Sequence, residues 1–537
     1  MIKEFIRFIK NYEDKIIPLT KEYSETFFNA SITGNPELYK KSAELELQLT
    51  KIHSDKESFS QIKKFQESGE ITETVLAREL QVFYNTFAGN QTDEELLEKI
   101  VKLSNKIEEK YSTFRAKIND KEINDNEIDK ILKESRDSSE LKTTWEASKQ
   151  IGEEVKEDVL TLVRLRNESA KNLGYKNYHE MSLILSELNP AELDKLFDEL
   201  DEKISDEYSR LKSEMDEYLS NGLKIEKRDL RQWHYQDKFM QQGPAIYNVD
   251  LDKYYEDKDL VELTEKYFSG IGLEIKNLIE KSDLFEKENK YQHAYCIPID
   301  RENDVRVLCN IKPDYKWMNT MLHEFGHAVY DKYISQELPW LLREQSHIFT
   351  TEAIAMLFGR FAADPKWMKE NFSLESEEAS KIAKDCFLSL RLEQLCFSRW
   401  VQVVYRFERS MYADPDQDLN LLWENLVKKY QLVNYPDDRD APDWAAKIHI
   451  ALYPAYYQNY MLGEILASQL YYYINNKVLK LDEENFSSFT NEMSVGEYLK
   501  HLFFSYGTLY SWNELIEKST GEKLNVDYYV NQFLTKE

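Results

Sequence analysis

Turn formers are scarce in this chain: 15 glycines and 12 prolines serve 537 residues. A fold of many short strands needs a turn about every ten residues, so the sequence is directed towards long helices. One of them can be traced directly. After Asn189 and Pro190, the residues Leu193, Phe197, Leu200, Ile204, Leu211, Met215 and Leu219 recur at spacings of three, four or seven, and Gly222 follows as a stop. Near the N-terminus Ile2, Phe5, Ile6 and Ile9 share a helical spacing; Gly34 and Asn35 then break the chain, and Pro36 is placed to open the next helix. Thr92 and Glu95 read as a capping box ahead of Leu96, Ile100, Leu103 and Ile107. One stretch differs. HAYCIPI (293–299) and VRVLCNI (305–311) are rich in β-branched and apolar residues around the loop DREND, which predicts a hairpin. No repeat or low-complexity tract divides the chain, and the connector around Pro436 and Pro442 is short. The expectation is a mainly α-helical single domain spanning 1–537, in two lobes.

At 42% apolar residues the chain can bury a large core in spite of its charge. That charge, 98 acidic against 70 basic side chains for a net of -28, opposes approach to nucleic-acid phosphates or an anionic membrane. No segment approaches the roughly 18 apolar residues of a membrane span. Four cysteines, Cys296, Cys309, Cys386 and Cys396, include no close-spaced pair of the kind structural zinc modules use. A reduced, cytoplasmic setting is expected, and an export signal removed ahead of residue 1 would leave the same sequence. A monomer is expected as well.

Chemistry concentrates where the histidines do. Five of nine, His293, His323, His327, His347 and His449, fall in less than a third of the chain. Two of them form H-E-F-G-H at 323–327. Residues four apart on a helix differ by about 40° and about 6 Å, so both imidazoles leave one face and can share a tetrahedral zinc, with Glu324 beside the ion as a base. Met318, Leu322, Phe325, Val329 and Tyr333 follow helical spacings around the motif, as burial of such a helix requires. A catalytic zinc needs a third protein ligand and an open position. Glu352, 25 residues past His327 on a second apolar run, is the candidate, and no basic residue lies one turn away to make it a surface ion pair. His347, five residues earlier, would face another direction and reads as a loop or core histidine.

The segments HAYCIPID, LHEFGHAVYDKY, LREQSHIFTTEAI and KIHIALYPAYYQNY together resemble the angiotensin-converting-enzyme family of zinc peptidyl-dipeptidases, including the 30-residue distance from His293 to His323. FFNASI and ELKTTWEASKQIGEEV extend the similarity towards the N-terminus. Thimet-type oligopeptidases and oligoendopeptidases share the zinc motif and a comparable tyrosine cluster. The resemblance implies a deep groove with zinc at its floor, a small antiparallel sheet beside the zinc helix and a helical lid region over about 1–150. It implies ligands His323, His327 and Glu352, with Glu324 as general base and later acid, and His449 and Tyr460 as donors to the oxyanion. Losing one such donor typically costs about 3 kcal/mol of transition-state stabilisation. His293, Ala294 and Tyr295 would form an edge strand that takes the substrate backbone, and Lys447 and Tyr457 would hold its C-terminal carboxylate. Tyr453 reads as ordinary helix core.

Several positions depart from the family pattern. Met356 stands one turn after Glu352, where the family has an aspartate that orients a zinc histidine, so something else must fix that tautomer. Tyr235 stands where a glutamine is expected to help hold the carboxylate. Asn459 and Val427 replace the arginines that bind chloride in vertebrate members, so no chloride dependence is expected, and the family's disulfide near the edge strand lacks its first cysteine. The expected function is zinc-dependent hydrolysis of short peptides with release of C-terminal dipeptides. An oligoendopeptidase is the first alternative, and a peptide-binding protein that keeps zinc without catalysis is the second.

Overall fold

The computed structural model describes residues 1–534 apart from 248 and 437, so Asp437 of the expected connector lies outside the described residues. The chain is mainly α-helical, with only two small two-stranded antiparallel sheets among the described residues. It divides into two compact units, one built from 1–91, 249–386 and 462–529 and the other from 92–248, 387–461 and 530–537. Among the described residues no helix is long and apolar enough to cross a membrane.

The long helices form where their apolar stripes predict them. The run from Leu193 to Leu219 lies on the helix Pro190–Leu223, with all seven of its apolar residues buried and the Asn189 side chain accepting from Ala191 and Glu192 N–H. Gly222 is not the stop, however. It lies inside the helix, which ends at Lys224 in the left-handed conformation (φ 57°). At the first break the reading holds: Gly34 closes Ile2–Thr33 with φ 63°, and Asn35 caps a helix that begins at Pro36. Only one face of that first helix is covered, because Phe5 and Ile9 are buried whereas Ile2 and Ile6 are exposed. The capping box at Thr92 is corrected: Asp93 caps Glu94–Thr113 through Glu95 N–H, and the Thr92 hydroxyl instead bonds Ser169 Oγ at 2.7 Å.

In the first unit, Phe5, Tyr12, Phe65, Phe83 and Phe87 form an aromatic cluster, with Phe5 and Tyr12 meeting Phe83 edge-on, that Trp340 and Leu341 join. The hairpin is present but shorter than its sequence suggests. Tyr295–Pro298 pairs with Val305–Leu308, Tyr295 opposite Leu308 and Pro298 opposite Val305, and His293 and Ala294 precede the strand. On its far side Val305–Leu308 is covered by the segment at Asp283, whose N–H donates to Val307 O at 2.9 Å. The fully buried Lys290 ammonium ties that segment down by donating to Asp283 O and Phe285 O at 3.0 and 2.7 Å. Among the described residues no third strand pairs with Tyr295–Pro298, which leaves its outer backbone groups without a ladder partner. Both strands pack on the helix Tyr315–Lys332 that carries H-E-F-G-H.

That motif helix packs on Ile348–Gly359 at unusually short range. A Cβ added at Gly326 would stand 2.8 Å from Ala355 Cα and 3.2 Å from Ala355 N, which only backbone movement could relieve. Gly222, by contrast, has open space around its Cβ position. Gly326→Val should therefore lose at least about 2 kcal/mol in chemical denaturation by overpacking. Gly222→Ala should be neutral or stabilising by up to about 1 kcal/mol through helix propensity.

Candidate metal centre

The motif helix starts at the Asp314 cap, which accepts from Trp317 N–H, and buries Met318, Leu322, Phe325 and Val329 as their spacing requires. Tyr333 falls one residue beyond the helix. His323 and His327 leave the same face, with their Nε2 atoms 3.2 Å apart. Glu352 comes from Ile348–Gly359 and sets Oε2 3.8 Å from His323 Nε2 and 4.0 Å from His327 Nε2. Among the described residues this is the one group of three or more metal-ligating side chains whose donor atoms converge. Two nitrogens bound about 2.0–2.1 Å from one tetrahedral ion stand about 3.3 Å apart, so the imidazole pair already has the required spacing. The carboxylate stands about half an ångström farther out, within reach of a rotamer adjustment. Two imidazoles and a carboxylate are a donor set suited to zinc.

The electrostatics agree with that fit. Burial pushes His323 down to about 4 and holds His327 well below its ordinary value, so both rings are neutral at pH 7 and offer lone pairs. Burial, with the Glu352 charge added, raises Glu324 to about 8; burial, with Glu464 added, raises Glu352 to about 7. Burial thus favours the uncharged form of every group here.

Three features hold Glu352 and its helix. His347 is the N-cap: its Nδ1 accepts from Phe349 N–H at 3.1 Å, and its own N–H donates to Thr350 Oγ1 at 3.2 Å. His347, whose spacing reads as loop or core, is thus the residue that caps the start of the helix. Gly463 lets the neighbouring helix lie against the ligand, since a Cβ there would be 3.1 Å from Glu352 Cβ and 3.2 Å from Met356 Sδ. Arg360 pairs with the largely buried Glu464 and donates to Ser468 Oγ at 3.2 Å. Thr351, directly before Glu352, sets Oγ1 2.7 Å from His327 Nδ1, a contact the motif spacing gave no reason to expect.

In the other unit, Lys447, His449 and Tyr457 form one cluster. Lys447 Nζ donates to Gln241 Oε1 at 2.8 Å and lies 5.6 Å from the rings of both Trp400 and Tyr457. Burial lowers it to about 8 against the opposing pull of Asp237. Gln241 was not singled out in the sequence, because 206 positions separate it from Lys447 and no local pattern marks it. Tyr235, expected in the glutamine's place, is buried and bonded to Asp216 at 2.6 Å. The His449 and Tyr457 rings meet at 5.3 Å, and Tyr457 OH accepts from Trp400 Nε1–H at 2.6 Å. Burial lowers His449 to about 4, so it is neutral at pH 7. Tyr460 packs against Tyr457 and Tyr456 at 5.4 Å. Tyr453 is corrected: 51% exposed and following the short helix Ile448–Leu452, it is not core. His293 and Ala294 stand outside the strand, leaving Tyr295 as its first residue, packed on Phe27 at 5.7 Å.

A family model described as angiotensin-converting enzyme, Peptidase M2, matches residues 2–533. The chain belongs to that family. Among curated proteins it is similar to thermostable carboxypeptidase 1 of Pyrococcus furiosus, 21% identical over 258 residues, which cover 42% of this chain and 49% of that protein. The chain thus spans about half the length of that relative. All four cysteines are free.

The Arg360–Glu464 pair supplies a test of the charge balance behind Glu352. Arg360→Met strands a largely buried carboxylate and should cost about 3 kcal/mol in urea denaturation. Adding Glu464→Gln to it should recover part of that loss.

Proposed function

We propose that this chain is a zinc-dependent peptidase that hydrolyses short oligopeptides and releases C-terminal dipeptides. The observation that carries the reading is the convergence of His323, His327 and Glu352 around a common point, with Glu324 on the same helix and nearly buried. Family membership over almost the whole chain supports it. A relative named as a carboxypeptidase agrees with action at a C-terminus.

His323, His327 and Glu352 would hold zinc, which when bound polarises the scissile carbonyl and makes water a stronger acid. Glu324 takes the proton from the attacking water and returns it to the departing amine. Its position in an apolar surrounding matches the first half of that task to the second, because a carboxyl with a raised proton affinity accepts and then donates near neutral pH. We assign to His449 and Tyr460 the hydrogen bonds that stabilise the oxyanion. His449 can serve as a neutral donor, since burial keeps it uncharged above about pH 4. The outer edge of Tyr295–Pro298, with His293 and Ala294 leading into it, can take a peptide backbone by strand addition, which reads no particular side chain. Lys447 and Tyr457, with Gln241 on the lysine, would fix the substrate's terminal carboxylate and so the number of residues beyond the cut. Peptides are accordingly the expected partners, and neither nucleic acid nor membrane is required.

Glu324→Gln should leave zinc content and peptide affinity nearly unchanged while lowering kcat by at least about 100-fold. A variant that turns over normally sinks the mechanism. Zinc and peptide binding by the parent chain without any turnover would instead identify a zinc-containing binder.

Exopeptidase and endopeptidase modes separate on the substrate's C-terminus. Amidation of a test peptide should abolish dipeptide release, as mass spectrometry of the products would report, whereas continued internal cleavage identifies an oligoendopeptidase. Lys447 carries its charge below about pH 8 and loses it above, so kcat/KM for free-acid peptides should fall as pH rises through that value. Lys447→Met should flatten that limb.

A further inference from the structure

Met356 occupies the position one turn after Glu352, and its sulfur abuts Gly463, so no carboxylate reaches His327 from there. The hydroxyl that does reach it belongs to Thr351, which is 3% exposed and sets Oγ1 2.7 Å from His327 Nδ1. The adjacent Thr350 hydroxyl is committed elsewhere, donating to His347 O at 2.7 Å.

We infer that Thr351 is the positioning residue of the metal centre, accepting the Nδ1–H of His327 and thereby reserving Nε2 for the ion. The inference rests on the zinc reading above. Nε2 is the ring atom that faces both other ligands, 3.2 Å from His323 Nε2 and 4.0 Å from Glu352 Oε2. For Nε2 to keep its lone pair, the ring proton must sit on Nδ1, and a largely buried proton there needs an acceptor. Thr351 supplies that acceptor from the residue directly preceding Glu352. A single turn of Ile348–Gly359 thus brings in one ligand and orients another, so that no displacement of this helix can disturb the two independently.

Zinc affinity measured by competition with a chelating indicator tests the role without reference to turnover. Thr351→Val, which keeps the shape and removes the hydroxyl, should weaken zinc by about 10- to 100-fold, the usual effect of losing a group that orients a metal histidine. Thr351→Ser should stay within about threefold of the parent. Equal affinity of the valine variant and the parent overturns the inference, as does a serine variant as weak as the valine one. Failure of the parent chain to bind zinc at all would instead overturn the reading of the site. Thermal melts in excess chelator check that the metal-free variants fold. Should the valine variant fail that check, 15N spectra of histidine-labelled, zinc-loaded parent protein decide. A His327 Nδ1 proton sheltered from solvent exchange is expected, and a ring proton on Nδ1 that exchanges freely overturns the assignment.

Discussion

The close packing of Tyr315–Lys332 on Ile348–Gly359 is the contact on which the rest of the candidate centre depends. Two histidines on one helix can face the same way by themselves, but the third donor must come from a separate element, and its distance is set by how near two backbones can approach. Gly326, between the histidines, and Ala355, three residues after Glu352, meet so closely that one additional carbon atom would leave under 3 Å to the opposite backbone. Gly463 performs the same service from another helix against Glu352 itself. None of these small residues touches a reacting atom. Their contribution is to bring chemistry carried on rigid helices within the few ångströms that coordination requires.

Such proximity has an electrostatic consequence. Burial raises the proton affinity of both Glu324 and Glu352, with the Glu352 charge adding at Glu324 and Glu464, itself paired with Arg360, adding at Glu352. Burying carboxylates side by side is unfavourable unless a positive charge is brought among them. The neighbouring histidines do not provide one, because burial keeps their rings neutral. A divalent cation held by His323, His327 and Glu352 would resolve the conflict, favouring ionised Glu352 and taking up the imidazole lone pairs, with Glu324 on the same helix beside them. The centre is therefore best understood as a set of buried groups whose close approach a shared cation would make favourable.

Much of this was legible in the residues alone, for physical reasons that also explain what was not. The helix from Pro190 and the motif helix announce themselves because periodic apolar burial and side-chain projection are both local properties of a helix. The converging carboxylate was legible because an acidic residue in the apolar run FTTEAIAMLFGR has no solvated explanation. Helix ends were read less well. Thr92 and Asp93 are both competent caps, and the choice between them depends on Ser169, more than seventy positions away, which takes the threonine hydroxyl. Gly222 is a permissive residue that the helix simply runs through, ending instead at Lys224. The tyrosine run that begins at Tyr453 reads as helix core, but the chain leaves the helix at that residue and its ring is half exposed. His293 and Ala294 have strand-like neighbours, yet pairing begins only where Leu308 can oppose Tyr295. Hydrogen-bond partners such as Gln241 for Lys447 are set by tertiary placement, and no spacing rule reaches across 206 residues.

His347, Thr350, Thr351 and Glu352 show how a short segment can settle local and long-range demands together. The first two close the helix N-terminus on itself, His347 accepting from Phe349 N–H and Thr350 bonding back to His347 at both its backbone groups. With the capping needs met by those two side chains, the next two are free to point across to the motif helix. A threonine in a helix ordinarily turns its hydroxyl back to the preceding carbonyls; Thr351 instead has His327 within 2.7 Å. The substitution of a hydroxyl for a carboxylate in that role also changes the charge of the surroundings. A carboxylate partner would place a second negative charge near the ion and draw the ring proton towards itself, making the imidazole a stronger donor. A hydroxyl would do neither, so on the reading proposed above the ligands would bring only the charge of Glu352, and more of a bound zinc ion's positive charge would remain to act on substrate.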